Sequence, residues 1–539
     1  MPELICKIKP YIQPFERNLA LQELVTLVGS EPEEVKKDIF GDFESSSFRI
    51  NAECPIEFLL DNLTYWESIQ VDNSVTYLTS QVKREATVNL VRNGITPDKL
   101  KELLPFGEDA PLPNRRVLRY GSHGIHEYRG KYFPQLVRSL LNIIGAEKGS
   151  LILDTMCGSG TTPVESILKG CNTIGLDFNP LSVMMSQAKC DLLAVEPDIF
   201  ITETKRLKND ILKAANKERG QREWFNKLPT ASNKYLINWF SDVVLNDLDA
   251  VISRINRTKK ASIRKFFLLC LSNIIRKVSW QKIDDLRVRK EIRLDIDIDV
   301  TAEFITELNR SFGLVLSFLY ENEGFELGKA IIKSGDAREA DVILREYFGS
   351  VDGIITSPPY ATALPYLDTD RLSIYYLNLF PRNEHRNQDL QMIGNREISN
   401  GIKKTLLEEF DARKNELPSV ISDTIDLISR LNEGTGAGFR RQNLPALLGK
   451  YFLDMKAVFE TFLHLLKPGA PAYVVVGNNH TIAGGERVEI ETDRYLAQLG
   501  ESVGLLVHEE IPMEMLTSRD IFKKNTGSAE TILSFSKYQ

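Results

Sequence analysis

Short apolar runs that end on a carboxylate or a small-residue turn recur along the chain from about residue 150 onward. Ser150-Leu-Ile-Leu-Asp154 is the first, and Thr155-Met-Cys-Gly-Ser-Gly160 turns out of it. Thr161 to Lys169 then carries apolar residues at helical spacing, and Thr173-Ile-Gly-Leu-Asp177 is a second strand-like run. Strand, small-residue loop, helix and strand in that order open a doubly wound α/β sheet. Ahead of it, Tyr132-Phe-Pro-Gln-Leu-Val-Arg-Ser-Leu-Leu-Asn-Ile-Ile begins with a proline and continues as an amphipathic helix. Later strands are predicted at Ile331-Ile, at Val351-Asp-Gly-Ile-Ile-Thr356, at Ala472 to Gly477, at Gly504 to His508 and at Thr531 to Phe535.

Two stretches interrupt the sheet. Residues 201–329 are mostly helical by spacing, and 381–448 form a second insertion, in which Gly434 to Arg441 is predicted mobile from its glycines. Before the sheet, Glu31-Pro-Glu-Glu-Val-Lys-Lys predicts a helix start with Pro32 near its first position, and Ser74 to Leu78 a short strand. The expected organisation is an N-terminal accessory domain over 1–110, a first half of the sheet domain over 111–200, a helical basic insertion over 201–329, a loop-bearing segment over 330–380, a second insertion over 381–448 and C-terminal strands over 449–539. The fold class is α/β, a doubly wound Rossmann-like sheet.

Composition narrows the partners. The 539 residues carry 67 basic and 74 acidic side chains, a net charge of −7, so any contact with a polyanion must come from a local patch. Arg254 to Arg293 is such a patch, with thirteen Lys or Arg against Asp284, Asp285 and Glu291 around an apolar Phe266 to Ile275 that reads as a buried helix. A charged run of this kind is either a solvated face or a surface that tracks phosphates; Arg440 and Arg441, beside the glycines, are a second candidate. Six cysteines without a CxxC pair suit a reducing cytoplasm and argue against a zinc ribbon. His123, His126 and His480 show no metal spacing. No run is long and apolar enough for a membrane span, and the N-terminus lacks an export pattern. The expected compartment is the cytoplasm, with no metal and no membrane.

Two loops carry the chemistry. In Asp154-Thr-Met-Cys-Gly-Ser-Gly160 the glycines allow close backbone approach to a ligand. The third glycine of the dinucleotide fingerprint is missing, which disfavours a pyrophosphate. Asp177, at the next strand end, is placed to accept hydrogen bonds from ribose hydroxyls. This run resembles motif I of S-adenosylmethionine-dependent methyltransferases, and DTMCGSGTTPVES is similar to the form found in DNA amino-methyltransferases. The resemblance implies that Asp154, Gly158 and Gly160 line a cofactor site for S-adenosylmethionine and that Asp336, in Gly335-Asp-Ala, contacts the adenine amino group. It implies that Phe133, in the motif X-like Lys131-Tyr-Phe-Pro, closes over the methionine end. Met156, where an aromatic is frequent, is expected to pack under the loop.

Ser357-Pro-Pro-Tyr360 is the sharper signal. Two prolines stiffen the loop and remove two N–H donors, so its neighbourhood presents acceptors. An exocyclic amine on a base is a poor nucleophile because its lone pair is delocalised; acceptors on its N–H groups and in-line positioning supply much of the rate. The loop resembles motif IV of cytosine-N4 DNA methyltransferases. That implies that Ser357 and Pro358 hold the target amine, with Pro359 stiffening the turn, and that Tyr360 stacks on a base flipped out of the duplex. The expected function is a site-specific DNA methyltransferase that transfers a methyl group from S-adenosylmethionine to the N4 amine of cytosine in double-stranded DNA, in a restriction-modification or defence setting, which admits a cognate restriction endonuclease as partner. Adenine-N6 methylation, methylation of a guanine amine in RNA, and an inactive fold serving as a binding subunit are the alternatives.

Overall fold

The computed structural model describes residues 3–40, 43–72, 74–128, 130, 132–215, 222–282, 289–292, 298–361, 366–434, 436–513 and 530–538. Lys131, Asp284, Asp285, Arg287 and Arg293 lie outside them. The centre of the molecule is a seven-stranded sheet. Numbered along the chain within this sheet, its strands are β1 (Leu151–Asp154), β2 (Asn172–Asp177), β3 (Ala330–Ser334), β4 (Gly353–Thr356), β5 (Pro471–Gly477), β6 (Leu505–Met513) and β7 (Glu530–Lys537). They lie in the order β3-β2-β1-β4-β5-β7-β6. Pairings from β3 through β5 are parallel, and β7 runs antiparallel to both β5 and β6. The sheet is the doubly wound one that the sequence predicts.

Side-chain alternation explains why both faces are covered. Ile152, Ile355, Val475 and Ile532 point into one core, whereas Leu153, Ile354, Val474 and Leu533 point into another. The near-continuous apolar runs are those of strands buried on both sides. Helices Phe439–Leu465 and Thr492–Val503 cover the second face. The first face is covered by helix Pro134–Ile143 and, beyond it, by the N-terminal region. That region contains a five-stranded antiparallel sheet, ordered Glu33–Phe40, Phe43–Ile50, Leu4–Ile8, Trp66–Val71 and Val75–Leu78, and helix Pro14–Val28. Leu4, Phe15, Trp66, Leu140 and Ile355 share one core, so the N-terminal sheet is continuous with the packing of the central one.

Two local expectations are corrected. Glu31 to Lys37 does not start a helix: Glu33–Phe40 is the edge strand of the N-terminal sheet. Its Glu and Lys residues suit an exposed edge, and pairing with Phe43–Ile50 overrides the helix-start signal. Gly434 to Arg441 does not stay a loop throughout, because Phe439 to Arg441 form the first turn of a long helix and Arg440 pairs with Glu397 at 2.5 Å. The first insertion is helical, as its spacing predicts, with helices Pro197–Ala215, Asp242–Ile255, Ala261–Val278 and Val300–Glu321 around one apolar core.

Candidate active site

Strands β1 and β4 are neighbours whose chain connections leave in opposite directions. A doubly wound sheet opens a crevice at such a switch point, beyond the carboxyl ends of the strands. The loop after β1 is Thr155 to Gly160 and the loop after β4 begins at Ser357, so the two chemical loops meet there. A single cleft is lined by Thr155, Met156, Gly158 and Asp177 on one side and by Asp336, Ser357 and Pro359 on the other. It encloses about 770 Å³, its open mouth included.

The carboxylates divide into a brace and a wall. Asp154 is 1 % exposed and does not line the cleft. Its carboxylate accepts from the Met156 N–H at 3.1 Å, the Thr356 hydroxyl at 2.8 Å and the Tyr132 hydroxyl at 3.0 Å. It therefore ties the turn, the neighbouring strand and the preceding segment together, and burial pushes its pKa up to about 6. Asp177 lines the cleft. It accepts the N–H groups of Gly158 at 2.7 Å and Asn179 at 2.8 Å, and burial pushes it up to about 7. Asp336 also lines the cleft and is gripped by Arg338, whose Nε lies 3.0 and 3.1 Å from its two oxygens.

The glycines differ in their work. Gly158 has φ +48, and its N–H points at Asp177. A Cβ there would come within 2.8 Å of the Tyr128 ring. Gly160 has φ +82 and does not line the cleft; a Cβ would lie 2.7 Å from the Ser186 Cα, so this glycine lets the following helix pack on helix Pro180–Leu193. The same helix carries Lys189, which is fully buried, donates to the Ser159 carbonyl at 2.7 Å and is pushed down to about 7 by burial. Met156 lines the cleft as well as packing against the core, so it is not simply tucked under the loop.

At the second loop, Ser357 donates its hydroxyl hydrogen to the Val475 carbonyl at 2.9 Å. Its oxygen therefore presents lone pairs alone to the cleft. Pro359 lines the cleft; Pro358 is buried behind it. Tyr360 sits outside the lining. Its hydroxyl donates to Glu530 at 2.6 Å, and its ring lies where a side chain on Gly477 would clash at 2.8 Å. Asn479, just beyond β5, holds the loop by donating to the Ala361 carbonyl at 3.1 Å. Phe133 caps helix Pro134–Ile143 with Arg116 over its ring, away from the cleft, whereas its neighbour Tyr132 lines it.

Several lining residues escape the sequence pattern: Tyr128, Ser159, Phe178, Asn179 and the segment Gln391 to Ile393. Asn179 had a usable signal, since Asn-Pro marks a helix N-cap and the Asn179 side chain does cap helix Pro180–Leu193. Thr155 Oγ1, Ser159 Oγ and Asn179 Nδ2 are buried beside the cleft with no partner among the described residues, a state that a bound polar ligand would relieve. Cys157 also lines the cleft, and burial holds its thiol well above the ordinary range. It stays protonated and does not supply a thiolate nucleophile. Among the described residues no cluster of metal-ligating side chains occurs, and no helix is long and apolar enough to cross a membrane.

Residues 127–219 match the family model described as UPF0020: RMKL-like, methyltransferase domain. The matched segment is 93 of the 539 residues. It contains β1, the Thr155–Gly160 turn, β2 and the helix bearing Lys189. The chain is 24 % identical over 441 residues to the Type II methyltransferase M.MvaI of Kocuria varians, covering 77 % of this chain and 91 % of that one. It is 22 % identical over 427 residues to the Type II methyltransferase M.MjaII of Methanocaldococcus jannaschii, covering 64 % and 80 %. Among solved structures it is similar to TrmN from Thermus thermophilus, with a TM-score of 0.31 and 11 % identity over 100 % of both chains.

Proposed function

We propose that this protein is a DNA methyltransferase that uses S-adenosylmethionine to methylate the exocyclic N4 amine of a cytosine flipped out of duplex DNA. The observation that carries the reading is the shared cleft: the methyltransferase-type turn after β1 and the Ser357-Pro-Pro loop after β4 line one cavity. The residues present fit the cofactor. Asp177 offers carboxylate oxygens for ribose hydroxyls, Phe178 offers an aromatic face, and Asp336 is the acid for the adenine amine. Thr155 Oγ1, Ser159 Oγ and Asn179 Nδ2, without partners among the described residues, are polar atoms such a ligand would satisfy. When bound, S-adenosylmethionine supplies an electrophilic methyl group.

The chain's own contribution is positioning. The Val475 carbonyl takes the Ser357 hydroxyl hydrogen, so Ser357 faces the target amine as an acceptor. An N–H held by that oxygen turns the nitrogen lone pair out of conjugation, and the stiff Pro358-Pro359 turn fixes its direction. The nitrogen becomes strongly acidic once methylated, so no strong general base is required of the protein. Tyr360, anchored through Glu530, is the aromatic that the flipped base meets. Arg257, Lys259, Lys282, Arg289 and Lys290 of the basic stretch are exposed and supply phosphate contacts, whereas Lys265 and Lys277 are engaged by Asp191 and Glu303. The setting we infer is cytoplasmic restriction-modification or defence, alongside a cognate endonuclease.

The test is incubation of the protein with labelled S-adenosylmethionine and either duplex DNA or total RNA, followed by digestion and identification of the methylated nucleoside. N4-methylcytosine is expected. N6-methyladenine from DNA, or a methylated base from RNA, overturns the assignment of the target.

A further inference from the structure

The cleft has a wall that belongs to neither chemical loop. Met392 and Ile393 line it from within the second insertion, in a segment that is neither helix nor strand. It leaves the end of helix His385–Gln391, where the Met392 N–H still donates back to the Gln388 carbonyl, but the last carbonyls of a helix need a partner from outside it. Two cationic side chains supply it. Arg338 donates to the Gln391 carbonyl at 2.8 Å, and Lys450 donates to the Met392 carbonyl at 3.0 Å. Asp454, on the same helix as Lys450, binds both cations, Arg338 at 2.8 Å and Lys450 at 2.5 Å. Arg338 also grips Asp336, the cleft carboxylate after β3.

The far side of this segment touches the other loop. Gly394 has φ +72, and a Cβ on it would lie 3.0 Å from the Pro359 Cβ and 3.3 Å from the Tyr360 carbonyl. The strap Gln391 to Gly394 therefore runs from the Asp336 side of the cleft to the proline corner. Lys450 and Asp454 have side chains only 13 % and 11 % exposed. Charges so nearly removed from water are retained only where each has a close partner, and here both cations spend donors on two consecutive carbonyls of the strap.

We propose that Arg338 and Lys450, joined through Asp454, form a clamp that seats the strap Gln391 to Ile393 as the outer wall of the cofactor cleft. They are positioning residues, and the proposal rests on the reading of that cleft as the S-adenosylmethionine site. Lys450 touches neither chemical loop directly, so its effect on the ligand passes through the strap. Loss of a charge-assisted pair of this kind is expected to weaken cofactor binding about 10-fold.

Calorimetric titration of the full-length chain with S-adenosylmethionine tests this. Lys450→Met should raise the Kd about 10-fold with its thermal midpoint close to that of the parent, and Lys450→Arg should restore most of the affinity. Met392→Ala, which removes the wall side chain and leaves every charge in place, should raise the Kd as well. The double variant should be no worse than the weaker-binding single one, because both changes act on the same wall. In turnover assays the effect should appear in KM for the cofactor more than in kcat. A Kd within twofold of the parent in Lys450→Met and Met392→Ala, or fully additive losses in the double variant, overturns the clamp and leaves the cofactor reading intact. A parent protein that fails to bind S-adenosylmethionine sinks the cofactor reading and the clamp with it.

Discussion

Replacing Ser357 by alanine removes one oxygen from the cleft and separates binding from chemistry. In the parent, Ser357 spends its only hydrogen on the Val475 carbonyl at 2.9 Å and so can act toward a substrate only as an acceptor. The turn it opens is held independently, by the two prolines, by Asn479 on the Ala361 carbonyl and by Tyr360 on Glu530. Ser357→Ala should therefore leave the loop where it is. The interaction lost is one that strengthens as the amine nitrogen becomes tetrahedral and its N–H more acidic. Removing a single group of this sort from a preorganised site costs about 10²–10³ in kcat, or roughly 3–4 kcal/mol.

Cofactor affinity should change little, because the polar atoms that fit the cofactor belong to Thr155, Ser159, Asp177, Asn179 and Asp336. Single-turnover methylation of duplex DNA measures the first quantity and calorimetry with S-adenosylmethionine the second. A kcat within tenfold of the parent would show that Ser357 is not the acceptor. A collapse of cofactor affinity would show instead that the hydroxyl belongs to the cofactor site and that the division of roles between the two loops is wrong.

Asp177 is pushed up to about 7 by burial and is expected to accept ribose hydroxyls in its ionised form, so cofactor affinity should strengthen as pH rises through about 7 and weaken below it; calorimetry across pH 6–8 in buffers of different ionisation enthalpy should also detect proton release on binding. Tyr360→Phe removes the hydroxyl that donates to Glu530 and should lower kcat a few-fold, whereas Tyr360→Ala also loses the ring and should weaken binding of DNA carrying the target by about 1–3 kcal/mol; equal effects in a binding and turnover series would remove the stacking role. Gly160→Ala forces a Cβ to 2.7 Å from the Ser186 backbone at φ +82 and should destabilise the fold by about 1–3 kcal/mol, measured as a lower denaturant midpoint. Lys9→Met leaves Glu85 buried beside it without its cation, since both are 2 % exposed, and should cost about 3–5 kcal/mol by the same measurement.

Much of the central sheet was legible because its signals are local. Asp154 and Asp177 end apolar runs, Gly158 and Gly160 mark the turn between strand and helix, and Ser357-Pro-Pro marks the exit from β4. What the pattern does not carry is the partner of each group. Asp154 follows the same strand-end rule as Asp177, yet Thr356 and Tyr132 come from segments far away in the chain and turn it into a brace. Gly160 serves a helix contact with Ser186 rather than a ligand. Phe133 and Tyr132 are adjacent aromatics, and only the docking of helix Pro134–Ile143 decides which of them faces the cleft. The strap at Gln391 to Ile393 has no local signature at all, because its place is set by Arg338 and Lys450. The helix expected at Glu31 failed for the same reason: an edge strand is defined by the strand it pairs with.

The N-terminal region, which shows no catalytic cluster in sequence, acquires its role through buried polar contacts. Lys9 reaches Glu85 at 2.9 Å, and Glu85 also accepts from Gln135 at 3.1 Å on helix Pro134–Ile143. On the same helix, Asn142 donates to Glu23 at 2.9 Å and accepts from Lys169 at 2.7 Å, while Lys169 also reaches Asn62 at 2.7 Å. Burial pushes Lys169 down to about 7 and Glu23 upward, so both charged forms are costly and depend on these partners. An apolar contact between the two sheets would tolerate sliding; a set of directional bonds does not. Helix Pro134–Ile143 packs on Ile152 of β1 and Ile355 of β4, the two strands whose ends carry the chemical loops. Removing residues 1–110 would expose that helix and take Glu85 away from its Gln135 and Glu23 away from its Asn142. The N-terminal sheet and the central sheet should therefore unfold in one cooperative transition, and a second, separable transition in calorimetry would refute their coupling.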